Sequence, residues 1–228
     1  MAYIKPTDRN KSWAKRKMPQ GRELKSLEIR NLFQIYCEGE NTEPEYFKSF
    51  PVNTETNVTA IGLGRSKTAL IEKTIELLSR DHFLKRQKNY DEDRQLWVVF
   101  DYDIREVNEV YDYNHAIHLA HSKSIRVAYS NDSFELWFVL HYQFQNTALT
   151  RKEFYEILSA KLNCNYEEEG KTKEFAQNLY RVFLPKQKDA IQNAKRLFEE
   201  QNHLVFNEQN PCTTVFQLVE ELNKCIKQ

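Results

Sequence analysis

The sequence is poor in glycine and proline and contains no long apolar run. Only 5 glycines and 6 prolines occur among 228 residues, which argues against a chain dominated by loops or by low-complexity sequence. No apolar stretch approaches the roughly 20 residues that a membrane-spanning helix needs. The first residues also lack the apolar segment of a secretory signal peptide. We therefore expect a cytoplasmic protein that makes no contact with a membrane.

Cysteine is scarce, and two common cofactor motifs are missing. The 4 cysteines show neither a CxxC pair nor any other metal-ligand spacing, so we expect free thiols rather than disulfides or a zinc site. The phosphate-binding motif GxxxxGK[ST] is absent as well. A P-loop ATPase, if the protein needs one, must therefore be a separate partner.

Charge is distributed unevenly although the net charge is zero. Residues 1–30 contain nine Lys or Arg and three Asp or Glu, so this segment carries +6 and the rest of the chain −6. A basic arm can bind nucleic acid by displacing counterions from phosphates, and the alternative is a solvated, partly disordered tail. The candidate nucleic-acid-binding residues are Lys15, Arg16, Lys17, Arg65 and Lys67.

Apolar runs of strand length alternate with helical patterns between residues 31 and 145. The runs occupy residues 32–37, 57–63, 96–100 and 125–129. This alternation predicts an α/β core with a four-stranded, mainly parallel sheet and right-handed crossovers. Helical patterns dominate residues 146–228, which we expect to form a helical extension packed on the core. Residues 1–30 would precede the core as a separate basic arm.

Acidic residues follow two of these strands directly. Glu38 comes after the first strand, and Asp101 and Asp103 come after the third. Ligands of an open parallel sheet bind outside the carboxyl ends of its strands. Alternate residues of an extended segment point the same way, so Asp101 and Asp103 can project together. The pattern predicts a site for Mg²⁺ or Mn²⁺, whereas a single acidic turn would be only a solvated loop.

A further polar cluster follows the fourth strand. Glu135 could add a metal ligand there, and Ser133 or Asn131 could support it. In the alternative interpretation, Ser133 caps the next helix and Glu135 is an acid of its first turn.

These motifs resemble a known group of proteins. Glu38-Gly39 followed by Asp101-x-Asp103 is similar to the Toprim catalytic domain of topoisomerases, primases and OLD-family nucleases. Three longer segments resemble the RloB-like family, which is associated with restriction and phage-defence loci. They are YCEGENTEPEYF (residues 36–47), SNDSFELW (130–137) and NPCTTV (210–215). The resemblance covers nearly the whole chain and implies a Toprim-like, Rossmannoid core.

The resemblance also implies roles for individual residues. Glu38 and Glu43 would bind one metal ion, with Gly39 supporting them, although Glu43 could instead be only a helix cap. Asp101 and Asp103, with Glu135 behind them, would serve a second ion. Two such ions would activate water and stabilise the leaving oxygen of a phosphodiester. Lys171 or Lys173 would neutralise charge that develops on the phosphate.

The expected function is that of a metal-dependent nuclease in anti-phage defence or abortive infection. DNA and RNA, including tRNA, are both possible substrates, and a separate ATPase and a homo-oligomer are possible partners. The alternative is a non-catalytic module that binds metal and nucleic acid or regulates a partner. A small primase-type synthase with the same fold stays open.

Overall fold

Five strands form one sheet in the computed structural model, which describes residues 31–80, 94–103 and 107–227. The strands are β1 (Asn31–Cys37), β2 (Thr56–Gly62), β3 (Arg94–Asp101), β4 (Arg126–Asn131) and β5 (Cys212–Thr213). The helices are α1 (Thr42–Lys48), α2 (Lys67–Arg80), α3 (Val107–Ser122), α4 (Glu135–Val139), α5 (Arg151–Leu162), α6 (Tyr166–Glu169), α7 (Lys173–Phe183), α8 (Gln187–Gln201) and α9 (Val215–Asn223).

The strand order creates a crevice between β1 and β3. The order is β2-β1-β3-β4-β5, and the first four strands are parallel. The chain therefore leaves β1 to one side to form β2 and then returns to the other side to form β3. Ligands of an open α/β sheet bind at such a point of reversal, outside the carboxyl ends of the strands. The residues that follow β1 and end β3 are the acids singled out in the sequence.

The predicted α/β class is confirmed, but the number of strands is wrong. The structure adds β5, a two-residue strand that pairs antiparallel with the end of β4. Ser130 and Thr213 reinforce the pairing through their hydroxyl groups, 2.9 Å apart. A strand this short has no periodicity to detect, so only helices were expected in residues 146–228. The basic arm of residues 1–30, with Lys15, Arg16 and Lys17, lies outside the described residues. The helical pattern of the sequence extends over residues 67–88, and its end also lies outside them.

The two faces of the sheet are covered by different helices. Side chains alternate between the faces, as they must in a strand, so Trp97 and Val99 of β3 face one core and Val98 and Phe100 face the other. The first core includes α1 and α4–α9, and the second includes α2 and α3. The helices after residue 150 therefore share a core with the sheet. Among the described helices, none has both the length and the hydropathy needed to cross a membrane.

Tyr46 joins the helices that follow β1 and β4. Its ring is fully buried and makes edge contacts with Phe50 and Phe138. Its hydroxyl oxygen accepts a hydrogen bond of 3.0 Å from Trp137 Nε1. Since Tyr46 lies on α1 and Trp137 on α4, this contact fixes the two short helices against each other. It thereby sets the relative positions of the acids in their first turns.

We expect Tyr46→Phe to lower the free energy of unfolding by about 1–3 kcal/mol, because Trp137 Nε1–H would be left buried without an acceptor. Urea denaturation followed by fluorescence measures the change. The matched control is Tyr111→Phe, at a tyrosine that is 75% exposed, which should stay within about 0.5 kcal/mol of the wild type. Equal losses in the two variants would show that the Trp137 hydrogen bond contributes nothing.

Candidate functional site

A cleft of about 310 Å³ opens at the carboxyl ends of β1 and β3. The charged residues that line it are Glu38, Glu40, Glu43, Asp101, Asp103, Glu135, Arg151 and Lys171. Six of these eight are acids, and they come from five separate parts of the chain: the turn after β1, α1, the end of β3, the turn after it, and α4. The fold thus gathers the acids that the sequence pointed to, together with two cations.

The backbone itself brings Glu38 and Asp101 together. Glu38 N–H donates to the carbonyl oxygen of Val99 at 2.8 Å, which extends the pairing of β1 with β3 by one residue. Glu38 Oε2 then accepts a hydrogen bond of 3.2 Å from the backbone N–H of Asp101. Burial raises the pKa of Glu38, and the nearby charge of Lys67 opposes this rise.

The surroundings of Asp101 disfavour the ionised form of its carboxyl group. Its pKa is raised well above the ordinary value, first by burial and then by the charge of Glu43, while Arg151 acts in the opposite direction. One of its oxygens, Oδ1, is buried and has no hydrogen-bond partner. A buried carboxylate oxygen without a partner costs free energy unless a cation or a donor meets it.

Glu43 is a buried carboxylate packed against the turn after β1. A side chain at Gly39 would place a Cβ atom only 2.1 Å from Glu43 Oε2, so the close approach requires glycine. Burial, followed by the charges of Glu135 and Glu38, raises the pKa of Glu43 to about 7, although backbone N–H groups of Glu43 and Gly39 act against this rise. A larger residue at position 39 would therefore force the Glu43 carboxylate to move.

Arg151 bridges the two aspartates after β3. Its Nη2 lies 3.2 Å from Asp101 Oδ2, and its Nη1 lies 3.0 Å from Asp103 Oδ2. The two aspartates therefore project together, with Asp103 at a positive φ of 23°. Arg151 is the first residue of α5, which Thr150 and Glu153 cap reciprocally. The sequence interpretation missed this arginine because nothing in a helix-opening residue signals a partner 50 positions away.

The cluster after β4 is divided between the cleft and the interior. Glu135 opens α4 and lines the cleft, where its charge raises the pKa of Glu43 and Asp101. Asn131 ends β4 instead of lying in a turn, and its Nδ2 donates to the carbonyl oxygen of Asn207 at 3.2 Å. Ser133 is fully buried, and its hydroxyl has no partner and does not cap α4. Neither Asn131 nor Ser133 is among the residues that line the cleft.

The two candidate lysines of the polar loop take different positions. Lys171 lines the cleft, with its ammonium 5.3 Å from the centre of the Tyr155 ring. Its backbone is held there because Asn41 Nδ2 donates to the Lys171 carbonyl oxygen at 3.2 Å. Lys173 instead approaches Glu45 at 3.8 Å and does not line the cleft. The polar composition of residues 165–173 predicts a loop, but the structure also contains the short helix α6 there.

The candidate nucleic-acid-binding residues near α2 also separate. Arg65 is exposed, as a phosphate-binding side chain must be. Lys67 is only 5% exposed and has a positive φ of 48°, so it does not fit an open phosphate-binding surface. Its charge lowers the pKa of Glu38 instead. Lys67 is thus an internal counter-charge of the acidic site.

The donor chemistry of the cleft suits a hard divalent cation. Its acids present only oxygen atoms, which Mg²⁺ and Mn²⁺ prefer, and Asp101 Oδ1 is left without a partner. As they are placed, however, no three His, Cys, Asp or Glu side chains in the described segments already form a metal-binding group. Arg151 stands between Asp101 and Asp103 instead. The oxygen ligands of the cleft therefore suit a divalent cation in their composition. In this structure the guanidinium of Arg151 lies between two of the carboxylates that would bind it.

Comparison with known proteins matches the chain to a family. Residues 33–222 match the family model described as RloB-like protein. This span runs from β1 into α9 and includes every charged residue that lines the cleft. No curated protein and no solved structure matches the chain. The family description states no activity, so function has to be argued from the site.

The pKa of Glu43 leads to a prediction for metal-free protein. Because its pKa rises on folding from 4.5 to about 7, folded protein binds the proton more tightly than unfolded protein. The stability that this carboxyl group contributes is therefore fully present below pH 4.5 and is lost as the pH rises through about 7, by at most about 3 kcal/mol. In EDTA, we expect Glu43→Gln to reduce the fall in melting temperature between pH 5 and pH 8.

Scanning calorimetry across this pH range tests the prediction, with Glu156→Gln as the control at an exposed acid outside the cleft. The control should follow the wild type at every pH. If Glu43→Gln also follows it, the carboxyl group of Glu43 is not the source of the pH dependence.

Proposed function

The chain belongs to the RloB-like family, and we propose that it is a metal-dependent nuclease that hydrolyses phosphodiester bonds at the cleft between β1 and β3. The observation that carries this proposal is the crowding of buried carboxylates around Asp101, one of whose oxygens has no partner. Close carboxylates disfavour one another's charged forms unless a cation intervenes. A fold that forces them together at a ligand-binding edge is suited to holding divalent cations.

The proposed metal ligands fall into two groups. Glu38 and Glu43 lie on the β1 side of the cleft, and Asp101, Asp103 and Glu135 lie on the side of β3 and α4. When bound, Mg²⁺ or Mn²⁺ ions would supply an activated water nucleophile and a charge that stabilises the leaving oxygen. Burial raises the pKa of Glu38, and the charge of Lys67 partly opposes this rise.

Lys171 is the proposed phosphate-binding residue. It lies at the same cleft as the acids, and its backbone is anchored to the turn that follows Glu38. An ammonium group at this place would neutralise charge that develops on the phosphate during attack. A site that acts on the backbone in this way does not read bases, so DNA and RNA both fit it. The association of the family with phage-defence loci favours a role in anti-phage defence.

A second candidate function is a non-catalytic module that binds metal and nucleic acid. The observation that favours it is the position of Arg151, which already neutralises Asp101 and Asp103 at 3.2 and 3.0 Å. If the arginine never leaves, these two aspartates stabilise the fold and do not serve hydrolysis. The two functions therefore differ in whether the cleft cleaves phosphodiesters.

The test is cleavage of supercoiled plasmid and of bulk tRNA by the purified full-length protein, with Mn²⁺, Mg²⁺ or EDTA. We expect cleavage of at least one substrate with metal and none in EDTA. Asp101→Asn and Glu38→Gln should slow cleavage about 100-fold or more, because each removes a charge that the reacting centre needs. Glu156→Gln, which alters an exposed acid outside the cleft, should cleave like the wild type.

Circular dichroism shows whether the variants are folded. Cleavage that persists in folded Asp101→Asn and Glu38→Gln would move the activity away from this cleft. Metal-dependent binding of nucleic acid without any cleavage would support the second candidate function instead.

A further inference from the structure

Arg151 lies between the carboxylates of Asp101 and Asp103, where a cation that balances their charge would bind. Its two terminal nitrogens divide between two different carboxylates, Asp101 at 3.2 Å and Asp103 at 3.0 Å. A guanidinium group is a planar fork that matches paired oxygens in this way. Any divalent ion that binds these same oxygens must take the place of this fork. The contact is therefore in direct competition with metal binding at the proposed site.

Both residues of the ion pair also have a polar atom without a hydrogen-bond partner. Asp101 Oδ1 and Arg151 Nε are both buried, and neither has a hydrogen-bond partner. A structural ion pair normally satisfies such atoms, because each unpartnered buried group carries a desolvation penalty. An acceptor and a donor in one contact therefore each have the capacity for one further partner. A metal ion would satisfy the aspartate, and a phosphate oxygen would satisfy the arginine.

The surroundings allow the side chain to move without the backbone. Arg151 and Asp103 retain about a third of their side-chain exposure, at 30% and 33%, so the pair lies at the cleft surface. The capping box of Thr150 and Glu153 fixes the start of α5 independently of where the guanidinium points. Tyr155, one turn further along α5, lies beneath the ammonium of Lys171. A guanidinium that left the aspartates would remain on the same wall of the cleft as Lys171.

We propose that Arg151 is an exchangeable counter-ion: it neutralises Asp101 and Asp103 in metal-free protein, yields them to a divalent cation, and then binds a phosphate of the nucleic acid. The proposal rests on the proposed function for the identity of the anion. Its metal-exchange step involves only residues of this chain and a divalent ion. The same arginine thus stabilises the empty site and contributes to binding in the loaded one.

The first measurement is Mn²⁺ affinity by isothermal titration calorimetry of full-length wild type, Arg151→Gln and Lys152→Gln. Loss of the competing guanidinium should tighten Mn²⁺ binding by Arg151→Gln about 10-fold, since charge-assisted hydrogen bonds no longer have to be broken. Lys152 is exposed and adjacent on α5, so Lys152→Gln should bind Mn²⁺ like the wild type. Arg151→Lys keeps the charge and should fall between the wild type and Arg151→Gln.

The second measurement is binding of a fluorescein-labelled DNA duplex, followed by anisotropy in EDTA and in Ca²⁺. In EDTA the guanidinium is held by the aspartates, so Arg151→Gln should bind the duplex like the wild type. In Ca²⁺ the freed guanidinium should contribute, and Arg151→Gln should bind about 10-fold more weakly. Lys152→Gln should show no such difference between the two conditions.

The outcomes separate this proposal from the proposed function. Unchanged or weaker Mn²⁺ binding by folded Arg151→Gln overturns the exchange, even if the wild type cleaves nucleic acid. An equal loss of duplex binding in EDTA and in Ca²⁺ overturns the second step. Tighter Mn²⁺ binding and a Ca²⁺-specific loss of duplex binding support the exchange, even if no variant cleaves. Failure of every variant, wild type included, to bind Mn²⁺ overturns both proposals.

Discussion

Repulsion between carboxylates that cannot move apart is the constraint around which this cleft is organised. Parallel pairing of β1 with β3 fixes Glu38 beside Asp101, down to the hydrogen bond between Glu38 Oε2 and the Asp101 N–H. The strands are held by the two cores that the sheet separates, which fixes the backbone positions of Glu38 and Asp101. The charge must therefore be balanced by neighbouring cations, by protonation or by metal. Lys67 and Arg151 are the internal cations of this balance.

The helices on the sheet intensify the repulsion instead of relieving it. Packing of Tyr46 against Trp137 holds α1 beside α4, and each helix contributes a buried acid to the cleft, Glu43 and Glu135. A protein selected only for stability would place apolar or neutral residues at such positions. Local conflict with the rules of stable folding is expected where a site has a function. The aromatic core supplies the rigidity that keeps this arrangement from relaxing.

Local pattern in the sequence predicted the four parallel strands and the edge at which Glu38, Asp101 and Asp103 meet, because periodicity and strand ends are local properties. Features that depend on tertiary contacts escaped it. The strand β5 has two residues and exists only through its pairing with β4. Lys67 was predicted to bind nucleic acid at the surface, but its side chain is buried in the fold. Arg151 belongs to the site because α5 packs against α4 and its first side chain reaches Asp101 and Asp103, and no spacing in the sequence records that contact.

The positions of Lys171 and Lys173 show how tertiary structure separates two residues that the sequence does not distinguish. Both lysines lie in the same polar stretch, yet the turn after β1 contacts Lys171, whereas Lys173 approaches Glu45 of α1. Asn41 and Thr42 donate to the carbonyl oxygens of Lys171 and Gly170, so the acidic turn and the basic loop are held together. These contacts join the turn that carries Glu38, and the start of α1 that carries Glu43, to the segment that carries Lys171. The carboxylates of the turn and the ammonium of Lys171 are thereby held at one cleft by a hydrogen bond between residues that are 130 positions apart in the chain.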